Sequence, residues 1–187
     1  IVAVAGEHRA TVFMVLHAAV SAVLARLTGS SDVAVGTPIA GRGDAALDDL
    51  VGMFVNTLVL RTRVDSAVRF DELLAAVRQS DIDAFENAEI PFERIVEVLN
   101  PPRRPGVPPL VQVMFAFQNQ EQVSIDVPGL TVSGVDLDAV MAKMDIQITF
   151  SEFVSEDGDS TGLSVSLVYA TDLFDEITMV SVGEQLV

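Results

Sequence analysis

The sequence predicts one α/β domain in which helices pack on a mixed β-sheet. Short apolar or alternating stretches, which are typical of strands, are interleaved with longer stretches whose apolar residues recur every three or four positions, which is typical of amphipathic helices. The chain has 187 residues and is 50% hydrophobic, so it can bury a core of its own. Because no internal repeat, low-complexity tract or linker divides the sequence, a single domain is expected.

Four stretches predict helices. In the first, residues 11–27 carry one wide apolar stripe, with Thr11 as the N-cap and Gly29 as the stop. His17 lies off that stripe, so we expect it at the surface or at the edge of the helix. The other helices are predicted at 70–86, 91–99 and 174–187, and a single helical turn at 45–50.

The strand prediction centres on residues 51–61, an apolar stretch rich in β-branched residues. The pattern predicts a strand buried on both faces, or nearly so. Asn56 and Thr57 lie in its middle, and a buried Asn is costly unless its amide is hydrogen bonded. Either Asn56 is a satisfied core residue that fixes a neighbouring loop, or it faces a polar cavity. Further strands are predicted at 32–39, 110–117, 130–135, 143–153 and 163–169, with a Pro-rich connection at 100–109 and a hairpin turn at 156–159.

The composition argues against several classes of function. The formal net charge is −16, so the surface repels phosphate backbones and anionic membranes, and neither nucleic acid nor membrane is expected as a partner. The absence of cysteine excludes disulfides, thiolate metal sites and a cysteine nucleophile, and it fits a cytoplasmic protein. No signal peptide is visible, and the missing initiator Met leads us to expect a piece of a longer polypeptide.

No catalytic or metal centre is evident in the sequence. It contains no nucleophile elbow, no phosphate-binding loop, no dinucleotide fingerprint and no pair of histidines at metal-ligand spacing. The acidic clusters at 44–49 and 156–159 lack the ligand alternation of a calcium loop, which indicates solvated turns. Polar residues at a few strand ends suit a binding wall better than a reaction site.

Three ordered motifs resemble those of condensation domains in nonribosomal peptide synthetases. Residues 51–61 (VGMFVNTLVLR) resemble the family's GxFVNTLxLR, and residues 86–93 (ENAEIPFE) resemble its (H/N)QDxPFE. Residues 103–110 occupy the place of a third motif, RDxSRxPL, which is degraded here, and VQVMF follows at 111–115. Two connecting stretches, GTPIAGR at 36–42 and TDLFD at 171–175, are also similar to the family's, so the resemblance covers nearly the whole chain.

The resemblance implies which half of the domain this is. The family's catalytic HHxxxDG motif does not occur in the sequence, and in the family it precedes all the motifs found here. The resemblance therefore implies that residues 1–187 form the C-terminal lobe of a chloramphenicol-acetyltransferase-like fold, with no catalytic residue of their own and no activity alone. An ester-forming acyltransferase of the same superfamily, or a non-catalytic docking lobe for a carrier protein, remains an alternative.

The resemblance also implies partners. The missing N-terminal lobe would complete a tunnel in which a donor thioester and an acceptor aminoacyl thioester form a peptide bond. Both substrates would be carried on the phosphopantetheine of carrier domains, with an adenylation domain adjacent and no cofactor or metal bound directly. Because the face toward the other lobe is left open, we also expect self-association of the isolated chain.

The matched positions give two groups of expected site residues. Asn87 occupies the His/Asn position of the second motif. Glu93 is expected to interact with the unpaired backbone N–H groups at the start of the helix that follows. Asp145 is expected to pair with Lys143 or with an arginine such as Arg61. Arg103 and Arg104 are expected to meet either an acidic carrier protein or acidic residues of this chain. Residues expected to line the tunnel or fix its loops are Asn56, Thr57, Arg42, Gln118 and Asn119; those expected to be structural are Gly52, Phe54, Arg61, Asn87, Pro91, Phe92, Glu93 and Asp145.

Overall fold

The computed structural model describes residues 1–43, 45–47, 49–119, 130, 141–154 and 160–187. It confirms a mixed α/β fold. The predicted strand at 130–135, apart from Leu130, and the predicted turn at 156–159 lie outside the described residues. In chain order the elements are α1 (Val2–Glu7), α2 (Val12–Thr28), β1 (Asp32–Ile39), a 3₁₀ turn (Ala45–Leu47), β2 (Asn56–Arg63), α3 (Phe70–Glu86), α4 (Phe92–Leu99), β3 (Val113–Gln118), β4 (Ile146–Val154), β5 (Ser160–Tyr169) and α5 (Glu176–Leu186).

The five strands form one mixed sheet in the order β2-β1-β3-β4-β5. The three central strands β1, β3 and β4 run parallel, and the two outer strands are antiparallel to their neighbours. The carboxyl ends of parallel strands meet at one edge of a sheet. This edge, which we call the carboxyl edge, carries Ile39, Gln118 and Val154, and the register places Asn56, the first residue of β2, opposite Ile39.

Helix α2 is the element on which both parts of the core are built. One core cluster joins α2 and α5 to the strands around Phe115, which is fully buried. The other joins α1, α2 and α3. The predicted ends of α2 are confirmed: the Thr11 side chain accepts a hydrogen bond from the Met14 N–H, and Gly29 adopts a left-handed conformation with φ +68°.

The prediction of a strand over 51–61 is wrong in two respects. Strand β2 begins only at Asn56, and Val51 and Met53 before it are 104% and 87% exposed. It is also not buried on both faces: Leu58, Leu60 and Thr62 are buried, whereas Val59 and Arg61 between them are half-buried and exposed. One face of this edge strand therefore packs on the core and the other is only partly covered, so the apolar run joins an exposed segment to a half-buried strand.

The prediction that His17 lies at the surface is also wrong. His17 is completely buried, and its Nδ1 lies 2.8 Å from the Oδ1 atom of Asp81 on α3. Its Nε2 is 3.3 Å from the hydroxyl of Thr62 on β2. His17 lies where α2 meets both the sheet and α3, and its ring stacks on Phe115 of β3, so a position off the main stripe is buried as well.

The chain begins with a short helix that the sequence analysis did not predict. Helix α1, over Val2–Glu7, was not predicted, because six residues carry too little periodicity to identify a helix. None of the helices in the described part of the chain is long and apolar enough to cross a membrane.

Candidate functional site

The side chain of Asn56 joins two segments at the carboxyl edge. Its amide nitrogen donates to the carbonyl oxygens of Ala88 at 3.0 Å and Ile90 at 2.9 Å. Its amide oxygen accepts from the backbone N–H groups of Thr57 at 2.8 Å and Phe92 at 3.1 Å. Every donor and acceptor of the half-buried amide is therefore used, and the turn between α3 and α4 is held against the start of β2.

The same interaction changes the role expected for Glu93. Helix α4 begins after Pro91, and no side chain caps it in the usual way. Its first N–H group, that of Phe92, is instead bonded to Asn56, a residue far away in sequence. Glu93 is exposed in the first turn, where its negative charge is favourable next to the helix N-terminus.

Arg42 organises the loop between β1 and β2. Its guanidinium donates to the carbonyl oxygens of Leu47 and Leu50, the latter at 2.8 Å, and lies over the Phe54 ring at 4.2 Å from the ring centroid. Gly41 has φ +63°, and a Cβ atom there would overlap the carbonyl oxygen of Phe54. A Cβ on Gly52 would lie 3.2 Å from the same ring. The loop is thus folded back on itself around Phe54.

The last part of this loop exposes apolar side chains. We call Leu50, Val51, Met53 and Val55, which are between 51% and 104% exposed, the hydrophobic lip. Ile90, which Asn56 holds close to β2, is also 44% exposed. Adjacent exposed apolar side chains of this kind mark a surface that other protein or ligand atoms cover.

Strands β3 and β4 end at a cavity on the carboxyl edge. The Ser151 hydroxyl donates to the Gln118 side chain at 3.4 Å, and Asn119 lines the cavity, whose volume is about 720 Å³. We call it the edge cavity. It lies between the start of α2 and the end of α3 and is lined by Thr11, Val12, Phe13, Met14, Ile82, Phe85, Glu86, Phe117, Asn119 and Glu152.

Three other residues singled out in the sequence do not line the edge cavity. Arg61 does not pair with Asp145; its guanidinium forms two hydrogen bonds with Asp32, at 2.8 and 2.6 Å, which hold the pKa of the Asp32 carboxyl below its usual value. The Asp145 carbonyl oxygen accepts from the N–H of Ala170. Asn87 donates to the Asp83 carbonyl oxygen at 2.8 Å, which closes the end of α3.

Sequence reasoning did not identify the walls of the edge cavity. Phe13, Phe85 and Glu152 are outside every motif, and the only signal for them was their position near the ends of predicted helices and a strand. The described residues contain no group of three or more His, Asp or Glu side chains that could hold a metal ion. The arrangement can position a ligand by shape and charge.

Comparison with known proteins relates the whole chain to one family. The sequence model described as Condensation domain matches residues 1–187. A probable non-canonical nonribosomal peptide synthetase of Salinispora arenicola is 44% identical over 178 residues, which are 95% of this chain and 2% of that protein. A dimodular nonribosomal peptide synthase of Bacillus subtilis is 43% identical over 183 residues, which are 97% of this chain and 8% of that protein.

Solved structures show the same fold. The X-domain from teicoplanin biosynthesis superimposes with a TM-score of 0.88 at 25% identity, covering 97% of this chain and 41% of the X-domain chain. The same domain has been solved in complex with OxyB, with a TM-score of 0.85 to this chain, which covers 40% of that chain. A four-domain nonribosomal peptide synthetase bound to AMP and glycine gives a TM-score of 0.83 at 22% identity. The chain therefore spans less than a tenth of these curated relatives and about two fifths of the X-domain.

Proposed function

Because this chain belongs to the condensation-domain family, we propose that it is the C-terminal lobe of such a domain and forms one wall of its substrate tunnel. The observation that supports this most directly is the convergence of three motif segments. The loop held by Arg42, the start of β2 at Asn56 and the turn before Phe92 all lie together at the carboxyl edge. The edge cavity opens beside Asn119 at the end of β3.

In this role the lobe positions substrates and supplies no acid–base group. The amine of a carrier-bound aminoacyl group attacks the thioester carbonyl of a carrier-bound donor; a C–N bond forms, the C–S bond breaks, the amine loses a proton and the donor's thiol leaves. Holding two reactants in the correct geometry can by itself lower the barrier by several kcal/mol, about 7–11 kcal/mol in well-oriented model reactions. The HHxxxDG motif, which this sequence lacks, would come from the N-terminal lobe.

Carrier domains bearing phosphopantetheine are the proposed partners, together with an adjacent adenylation domain. Arg103 and Arg104 line a cavity of about 580 Å³ next to α4. Neither forms an ion pair within the described part of the chain. On a chain with net charge −16 these two arginines offer an acidic carrier domain a local positive contact.

The hydrophobic lip supports a further part of the proposal, namely that the N-terminal lobe covers it. If the 187-residue chain is produced alone, its exposed lip should drive self-association, which sedimentation over a range of concentrations detects. A monomer that persists at high concentration would count against a covered lip. The same measurement on Met53→Ser tests whether the lip is responsible. Because Met53 is 87% exposed, its replacement should reduce self-association without disturbing the core.

The decisive experiment measures peptide formation by the complete domain. Carrier-bound donor and acceptor thioesters are mixed with the complete domain or with the 187-residue chain alone, and the product is followed by mass spectrometry. We expect amide product only with the complete domain. Product from the chain alone, or none from the complete domain with any pair of substrates, would refute the proposed role. An acceptor with a hydroxyl in place of the amine distinguishes the ester-forming alternative.

One observation favours a second candidate function. The X-domain, which this chain resembles most strongly among the structures described above, was solved in complex with another enzyme, OxyB. A docking lobe without catalysis would bind carrier domains or a partner enzyme but form no product. Binding of a carrier domain by a complete domain that never yields amide would support this candidate.

A further inference from the structure

The edge cavity has the size and position of a small-molecule site. Its volume of about 720 Å³ lies within the range of about 300–1,000 Å³ that is usual for ligand pockets. It lies outside the carboxyl ends of β3 and β4, where open sheets with parallel strands bind their ligands. Its walls are mainly apolar: Phe13, Ile82, Phe85 and Phe117 contribute to the lining, and the Phe13 and Phe85 rings meet edge to face at 5.8 Å.

The charged groups of the edge cavity all have the same sign. Glu86 and Glu152 line it, and among the described residues no lysine, arginine or histidine does. Neither carboxylate forms an ion pair with a residue of the described ranges. Two carboxylates without a counter-charge favour a cation and disfavour an anion. The lining therefore fits a molecule with an apolar body and an amino group.

We propose that the edge cavity binds the aminoacyl group of the acceptor, with an apolar side chain packed against the wall that the touching Phe13 and Phe85 rings form and the amino group next to Glu152; this rests on the proposed function. The acceptor is chosen because its amino group is not acylated: as the bound ammonium it bears the charge that the two carboxylates attract, and it must lose a proton before it attacks the thioester. A peptidyl donor has already converted the amine of its last residue into an amide, which gains nothing from these carboxylates.

A buried pair of residues joins the two helices that carry the aromatic wall of this cavity. His17 lies one helical turn after Phe13 on α2, and Asp81 lies one turn before Phe85 on α3, so each shares a helix face with a cavity residue. The 2.8 Å contact between His17 and Asp81, both fully buried, ties the two helices together directly behind the cavity. The two rings of the aromatic wall are therefore held in place before the ligand arrives, which lowers the entropic cost of binding.

The test is a binding experiment on the complete domain. Titration calorimetry compares three stable pantetheine amides, which carry phenylalanyl, glycyl or N-acetylphenylalanyl groups. We expect the phenylalanyl amide to bind about tenfold more tightly than the glycyl amide, since a well-filled apolar pocket discriminates by about 10–200-fold. The N-acetyl amide should bind more weakly than the free amine.

Two variants and two matched controls identify the residues responsible. Phe85→Ala should remove the preference for phenylalanyl over glycyl, whereas Phe70→Ala should retain it; Phe85 and Phe70 are 43% and 42% exposed and lie at opposite ends of α3. Glu152→Gln should remove the preference for the free amine over the N-acetyl amide. Glu184→Gln, an exposed change on α5, should leave that preference unchanged.

The outcomes separate this inference from the proposed function. If the wild-type domain shows no preference for phenylalanyl over glycyl, or if both phenylalanine variants behave alike, the edge cavity is not the acceptor pocket. If the preferences follow the prediction but the domain never forms an amide, the pocket stands and the peptide-forming role is refuted. If the domain forms amide but its acceptor preference is the same in Phe85→Ala as in the wild type, the peptide-forming role stands and the edge cavity is not the acceptor pocket.

Discussion

Replacing Asn56 by alanine removes a side chain that connects the start of β2 to the turn before α4. Four hydrogen bonds are lost: those to the carbonyl oxygens of Ala88 and Ile90, and those from the N–H groups of Thr57 and Phe92. Three of them are partly buried and contribute about 1 kcal/mol each, whereas the exposed bond to Ile90 is readily replaced by water. The expected loss is therefore about 2–3 kcal/mol.

Hydrogen exchange read by mass spectrometry measures this loss where it occurs. A change of about 2–3 kcal/mol corresponds to exchange roughly 30- to 150-fold faster for the backbone amide of Phe92, if the turn opens without global unfolding. Asn87→Ala is the matched control, because Asn87 lies in the same turn and its amide group makes a single exposed bond, to the carbonyl oxygen of Asp83. It should cost less than about 1 kcal/mol.

The reasoning is refuted if Asn56→Ala and Asn87→Ala speed the exchange of Phe92 equally. It is also refuted if neither variant changes it. In the complete domain Asn56→Ala should lower amide formation with every substrate pair by a similar factor, since the turn supports the edge as a whole. A loss confined to one acceptor would instead place Asn56 in direct contact with that substrate.

Three further predictions concern single residues. Gly41→Ala should lower the stability toward urea by at least about 2 kcal/mol, because its φ of +63° and the adjacent carbonyl oxygen leave no room for a Cβ, whereas Gly43→Ala, which has open space, should change it by less than about 0.5 kcal/mol. His17→Ala should cost about 3–5 kcal/mol by leaving the carboxylate of Asp81 buried without its partner, and a double replacement of both residues by leucine should recover most of that loss in the same urea titration. The pKa of Asp175 is lowered by its hydrogen bonds with Thr178 in the first turn of α5, so its stabilisation is present above about pH 4, the ordinary value, and is lost as the pH falls through the lower value in the folded protein; amide exchange in α5 should therefore differ between wild type and Asp175→Ala at pH 7 and converge once the pH is below that lowered pKa.

The sequence predicted those elements whose signals are local. Helix α2 has an N-cap at Thr11 and a left-handed glycine at Gly29, and both ends were placed within one residue. Strand β1 was predicted over its full length because the turn residues on both sides bound it. These signals depend on the conformation of a few adjacent residues and need no knowledge of the tertiary structure.

The failures concern contacts between distant segments. An apolar run such as 51–61 does not say on which side a neighbouring strand lies, so the exposed lip and the edge strand could not be separated. The burial of His17 depends on Asp81, which is 64 residues away, and on a second helix that covers the flank of α2. For Asn56 the sequence indicated that partners were required, but two of them are backbone carbonyl oxygens, which no residue pattern identifies.

The residues that identify the family and the residues proposed to select a substrate are different sets. Asn56 and Arg42 lie in motifs, and their polar side-chain groups form hydrogen bonds with backbone atoms of their own chain. Phe85 and Glu152 lie in the edge cavity and outside the motifs, and their side chains are available to a ligand. A change in the first set should therefore lower the yield for all acceptors alike. A change in the second set should alter the ratio between acceptors, and a reversal of these two patterns would mean that the motif residues contact the substrate themselves.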